Sequence, residues 1–328
     1  MSRAVDAGLW FNDGNIVLVA EDTPFKVYGG LLSQKSEVFR DILAIPQPAT
    51  PDEAELMDGI HIIHVSDTWR DLSHVLHAIY HGFRVFAVDQ HLSFLAVSAL
   101  LRLGQKYEIP ELKEAATSLL KSCFPERLAD FKYDTKLQDD PPYYRYIIFD
   151  PPLIRMRLED LPGVINLARA YGLPSLLPSA FYLCSLLEVK HLMNGTRDHD
   201  GNKIFLPKKD IIRCVNGRAT LVMKEIIELP RISLRVADGC ESEACNVADM
   251  FQPTDNDWST LVKYAGTCFQ DLSWLKAHFE SEDCLQCRTN MEEELNAFRV
   301  RLWSTLGGIF LLDDDDDGDE EDLSLMDD

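Results

Sequence analysis

The stretch DGNIVLVAEDTPFKVYGGLLSQKSEVFRDIL, Asp13–Leu43, decides how the N-terminal half is read. Asp13-Gly14 is a turn signal. The run Asn15–Ala20 behind it is short, apolar after its first residue and β-branched, which favours a buried strand over a helix. Glu21-Asp22-Thr23-Pro24 supplies a tight reversal, and Phe25–Tyr28 alternates as a half-buried strand does, so the two strands form a hairpin. Gly29-Gly30 ends it. Leu31–Leu43 then spaces Leu32, Val38, Phe39 and Ile42 in a helical pattern, with Ser36 as a cap and Glu37 and Arg40 outward.

Outward from this segment, a loop rich in Pro and acid, Ile45–Gly59, leads to a third strand, Ile60–Val65. Ser66-Asp67 suits an N-cap for an amphipathic helix with Leu72, Val75, Leu76, Ile79 and Tyr80 inward. Another helix starts near His91. The next keeps the 3.6 period through Leu112, Ala115, Ala116, Leu119, Leu120 and Cys123, with Leu112, Ala115, Leu119 and Cys123 expected to be buried and Lys113 and Lys121 in solvent, and stops at Pro125. Pro pairs bracket a Tyr-rich stretch within Asp134–Pro152, where regular helix is excluded and a domain boundary is expected. Helical spacing resumes at Asp160 through Val164, Leu167, Ala168 and Tyr171. Val215-Asn216-Gly217 reads as a turn, and Ala219–Val236 as helix then strand. Met291, Leu295, Phe298 and Leu302 form a last helical stripe that ends at Gly307-Gly308.

The chain has 328 residues, 46% of them hydrophobic, enough for one or two real cores. Its 54 acids against 32 Lys and Arg give a net charge of −22, so phosphate would be repelled and direct nucleic-acid binding is not expected. Half of that excess sits in Asp313–Asp328, with eleven acids and no base, which is expected to be disordered. The sequence has no apolar run of the roughly 20 residues a membrane helix needs and no secretory h-region at its start. Eight cysteines are too few for a disulfide scaffold, and a cytoplasmic or nuclear location is expected.

Together with IHIIHVSD (60–67), DLSHVLHAIYHG (71–82) and LRLGQKYEIPEL (101–112), the opening stretch resembles a BTB/POZ domain, particularly those of fungal BTB-domain proteins. The resemblance covers residues 9–125 and is carried by the order of elements, by Ser36-x-x-Phe39 and by Lys106-Tyr107-x-Ile109 ahead of the final helix. It implies an α+β fold of short strands with a helical cluster. Behind it are expected a linker over 126–159, a mostly α-helical domain over 160–312 and the acidic tail over 313–328.

Asp13 matches the family's frequent Asp ahead of the first strand, and it also suits an Asx turn. The chain departs from the family at Tyr28-Gly29-Gly30, where a His followed by Lys or Arg is usual; that puts in doubt the charged pocket with which transcriptional members hold corepressors. The resemblance further implies a protein-interaction scaffold or adaptor, a homodimer, and recruitment of a cullin-type ubiquitin ligase; Trp10 and Phe11, aromatic and just ahead of the first strand, suit either the dimer anchors or closure of the core. The motif nearest to the hydrophobic-x-Glu of such adaptors is Leu56-Met57-Asp58, with Asp in place of Glu. The rivals are a transcriptional or chromatin scaffold and an enzyme with a site in the C-terminal half. No nucleophile elbow, P-loop, dinucleotide fingerprint or His-Glu-x-x-His is present, so no enzyme activity is expected.

The sharpest chemistry is in Cys240-x4-Cys245 and Cys284-x2-Cys287, two close thiol pairs that match a tetrahedral structural Zn²⁺ site. The alternatives are free thiols, some of them buried as small apolar side chains, and a disulfide between the pairs. His74, His77 and His81 share one helical face, but the apolar stripe beside them points to hydrogen bonding with a neighbouring loop rather than to a metal.

Overall fold

The computed structural model describes residues 6–46, 56–82, 92–137, 145–149, 153–198, 201–242, 245–249, 269 and 284–312. The fold is mixed α+β, with small sheets and a helical C-terminal region. Contacts divide the chain into two units, Met1–Cys123 with Ile148–Met156, and Phe124–Ile147 with Arg157–Asp328. The expected linker, 126–159, therefore carries strands and is shared between the units. Residues 313–328, where the acidic tail is expected, lie outside the described residues, as does His91. Among the described residues no helix is long and apolar enough to cross a membrane.

In the first unit, β1 (Ile16–Ala20) pairs antiparallel with β2 (Thr23–Val27) across Glu21-Asp22. Pro24 is tolerated because β2 lies at the edge of the sheet, where a missing N–H breaks no inner ladder. The expected single helix over 31–43 is two, α1 (Gly29–Lys35) and α2 (Glu37–Ala44), with Ser36 ending the first and capping the second through Phe39 N–H. Part of the expected loop is strand β3 (Leu56–Met57), joined to β4 (Ile60–Val65) by Asp58 and Gly59, both at positive φ, as a two-residue hairpin requires. β4 runs parallel to β1, giving the order β2-β1-β4-β3. β1 is central and largely buried, which is why its sequence reads as one apolar run instead of alternating.

Helix α3 (Trp69–His81) is capped by Thr68, not by Ser66 or Asp67. Those two residues are held from the next helix, where Lys106 donates to Ser66 Oγ at 3.1 Å and Asp67 Oδ1 at 2.6 Å, and the Tyr107 hydroxyl donates to Asp67 Oδ2. After β5 (Leu92–Ser93), α4 (Phe94–Lys106) begins with Ser93 as its cap. Gly104 sits where α5 (Pro110–Cys123) comes close: a Cβ there would lie 3.0 Å from Lys113 N. On α5 the buried row is Leu112, Ala116, Leu120 and Cys123, while Ala115 and Leu119 are half-buried, contrary to expectation. The reason is that the buried row steps by four, four and three residues, and periodicity alone does not separate it from the neighbouring row through Ala115 and Leu119.

The second unit, Phe124–Ile147 with Arg157–Asp328, is gathered through aromatic contacts. Phe131 packs 4.7 Å from Trp303, whose Nε1 donates to the Glu126 carbonyl, and the Tyr133 and Tyr182 hydroxyls meet at 2.8 Å. Strand β6 (Tyr133–Leu137) and the start of β7 (Arg145–Phe149) belong to this unit, whereas the end of β7 and β8 (Ile154–Arg157) up to Met156 belong to the first; helices α6 (Leu161–Ala170), α7 (Leu177–Ser185) and α8 (Val189–Asn194) follow. A short pair, β9 (Thr196–Arg197) and β10 (Lys203–Ile204), leads into α9 (Lys208–Asp238), and α10 (Leu285–Ser304) and α11 (Leu306–Ile309) close the described chain.

Where a turn at 215–217 and a strand before 236 are expected, α9 is one 31-residue helix. Gly217 is there for space: a Cβ on it would lie 2.1 Å from the buried ring of Phe310. The expected stripe of Met291, Leu295, Phe298 and Leu302 is buried on α10.

Leu120→Asp should cost unit 1 about 4 kcal/mol or more by burying an unpaired carboxylate, and Leu119→Asp clearly less; thermal unfolding of the two variants checks the order. Gly217→Ala should cost about 1–3 kcal/mol through the clash with Phe310, although alanine normally strengthens a helix; a stabilised variant would refute the close-packing account.

Candidate metal centre

The α9 helix ends at Gly239, and Cys240 N–H turns back to the Ala237 carbonyl at 2.9 Å. A second turn, Cys245 N–H to the Ser242 carbonyl at 3.2 Å, aims Cys245 into the same place. The following 3-10 turn, Val247–Asp249, is fixed to α9 by buried Val247 and by Ser233 Oγ, which donates to the Ala248 carbonyl at 3.2 Å. Cys284 is the N-cap of α10, with its sulfur accepting from Cys287 N–H at 3.4 Å. Cys287, one turn in, is buried.

The four Sγ atoms all lie within 4.8 Å of one another, and Cys240 and Cys284 are 3.7 Å apart. A tetrahedral Zn²⁺ with arms of ~2.3 Å has ligand–ligand edges of about 3.8 Å, so the cluster could close around an ion with sub-ångström shifts. The sulfurs are far beyond the ~2.05 Å of a disulfide, and all four are free thiols. Among the described residues, no other group of three or more His, Cys, Asp or Glu brings its ligand atoms together in this way.

Electrostatics favour thiolate at one position. The Cys287 backbone N–H and thiol hold the Cys284 thiol down at about 7, as expected for a sulfur at a helix N-terminus. Burial pushes Cys287 well above the ordinary thiol range. A 2+ ion at the centre would reverse that penalty, because it stabilises the thiolate form of all four ligands.

The other expected site residues are placed as follows. Phe11 packs inside its own unit, with ring centres 4.8 Å from Tyr28 and 5.3 Å from Tyr80, and Trp10 bridges to Lys26 on the free edge of β2; both are half-buried. Leu56 and Met57 are the half-buried residues of β3, and Asp58 is exposed in the turn. Asp13 accepts from the Tyr28 hydroxyl at 2.6 Å, which joins the turn ahead of β1 to the residue after β2. His77 and His81 reach the N-terminal turn, at Asp6 Oδ2 (3.0 Å) and the Gly8 carbonyl (2.8 Å). Burial lowers the pKa of His74.

Sequence reasoning missed a buried ion cluster. Asp210 is 2% exposed and accepts from Arg169 (2.8 Å) and Arg213 (2.9 Å), while Arg213 also donates to the Leu311 carbonyl at 3.0 Å. The only local signal is the Asp-x-x-Arg spacing, which surface helices share. Neither protein-family models nor curated proteins match the chain.

Titration of the reduced chain with Co²⁺ should load one ion per chain and give thiolate charge-transfer absorption. Cys287→Ser should weaken it. Lowering the pH from about 7.5 to about 5.5 should reduce the apparent affinity progressively, since each sulfur must lose its proton to bind.

Proposed function

We propose that this chain is a protein-interaction scaffold or adaptor: a BTB-like N-terminal unit binds protein partners, and a zinc-stabilised helical unit selects a client. The observation that carries the reading is the order of unit 1, a β1–β2 hairpin, two short helices, β4 parallel to β1, then α3, α4 and α5. The motif residues support it through what they bond. Ser36 donates to the Tyr107 carbonyl at 2.5 Å, Phe39 stacks on Tyr107 at 4.5 Å, and Lys106 and Tyr107 hold Asp67, so the Ser-x-x-Phe and Lys-Tyr-x-Ile signatures meet at one node.

The ion suited to four thiolates in this geometry is Zn²⁺, and its role is structural because the set leaves no open position for water or substrate. It would tie the end of α9 and the loop after it to the start of α10. The adaptor version of the reading rests on Leu56-Met57-Asp58, two half-buried residues and an exposed turn residue of the β3–β4 hairpin.

Purification of the tagged full chain followed by mass spectrometry should recover a reproducible set of protein partners that the Leu56→Asp, Met57→Asp double variant loses. Cullin-type subunits would identify the adaptor and chromatin factors the transcriptional rival, whereas recovery of no partner by the full chain would overturn the reading. Light scattering at tens of micromolar should give a dimer, and a strict monomer would refute dimerisation. Chelation of zinc should unfold the second unit and leave the first intact.

A further inference from the structure

The α9 helix has two apolar faces. One is buried through Cys214, Gly217, Leu221, Leu229, Ile232 and Val236. On the opposite side, Ile212, Val215, Met223, Ile227 and Leu234 are 38–55% exposed and recur at helical spacing along most of the ~46 Å of the helix. An apolar stripe of that length on a helix already packed on its other side marks an interaction surface.

The charges around the stripe say what fits it. Between residues 208 and 227 the exposed charged residues of α9 are all basic: Lys208, Lys209, Arg218 and Lys224. Both acids in that span, Asp210 and Glu225, are buried. In a chain of net charge −22 this is a local reversal of sign, and it selects an acidic partner that also carries apolar side chains.

We propose that the occupant is the chain's own C-terminal segment, Asp313–Asp328. Its sequence, DDDDDGDEEDLSLMDD, has the required chemistry: eleven acids with Leu323, Leu325 and Met326 set among them. Its starting point also fits, because Arg213 of α9 donates to the Leu311 carbonyl and Phe310 packs on Gly217. The segment thus leaves from the N-terminal third of the helix it would cover. Sixteen residues reach at most ~53–58 Å when extended, against about 21 Å of helix rise from Arg213 to Ile227, so the apolar trio can reach the stripe with chain to spare. Docked there, the segment would mask the surface, and a client with a similar acidic, apolar-studded peptide would have to displace it.

The test uses the full chain with a photo-crosslinking phenylalanine at position 323 or 326. Crosslinks within one chain to peptides of residues 208–238 are expected. Their yield should fall several-fold in Ile227→Asp and in Lys208→Glu, Lys209→Glu, Lys224→Glu. It should also fall when salt is raised from about 0.1 M to about 1 M, which cuts the Debye length from ~10 Å to ~3 Å. These substitutions are at exposed positions, so circular dichroism should show the fold retained. Crosslinks between chains would make a second copy the occupant, and crosslinks elsewhere, or none from either position, would leave the stripe without its tail; each result overturns the proposal.

Discussion

A carboxylate removed from water has to be met by cations, and in the second unit that constraint falls on Asp210, as it does on Asp160 beside Arg157. Arg169 comes from α6 and Arg213 from the next turn of α9, so the two helices are fixed in register by one ion. Removing a partner from such a cluster typically costs about 3–5 kcal/mol, because the remaining charge stays buried. Arg213 passes the constraint on to the Leu311 carbonyl, which seats Phe310 against Gly217 and stacks it 5.7 Å from Phe181 on α7. The position of α9, and so the direction of its exposed stripe, depends on this chain of contacts.

The first unit has a comparable centre built from neutral groups. Ser36 lies in the single-residue gap between α1 and α2, where it accepts from Phe39 N–H and donates to the Tyr107 carbonyl. Burial and the neighbouring Asp67 raise the pKa of the Tyr107 phenol, so it remains a hydrogen-bond donor across the physiological range. One tyrosine thereby joins the helix pair, the end of β4 and the turn between α4 and α5.

The metal centre sits at the end of α9 opposite its ionic anchor. Besides the cysteines, the described contacts between that end and α10 include Arg235, which pairs with Glu228 and Glu294. Such exposed pairs are worth little individually. A bound ion would supply a much stronger clamp at that end, while the Asp210 cluster holds the other.

The sequence by itself determined the N-terminal hairpin, β4, the stripe of α10 and the membership of the cysteine cluster. In each case the signal is local: a β-branched run between turn residues, a 3.6 period, or paired thiols at ligand spacing. It did not determine α9, because Val215-Asn216-Gly217 looks like a turn until Phe310 is seen to need the missing Cβ of Gly217. Nor did it resolve Leu119 from Leu120, since which flank of an amphipathic helix is fully covered depends on the neighbouring helix. The buried Asp210 cluster and the meeting of Ser36 with Tyr107 join residues 41 and 71 positions apart. Only tertiary structure decides such pairs, because burial and partnership are properties of the packed chain and leave no periodic trace along it.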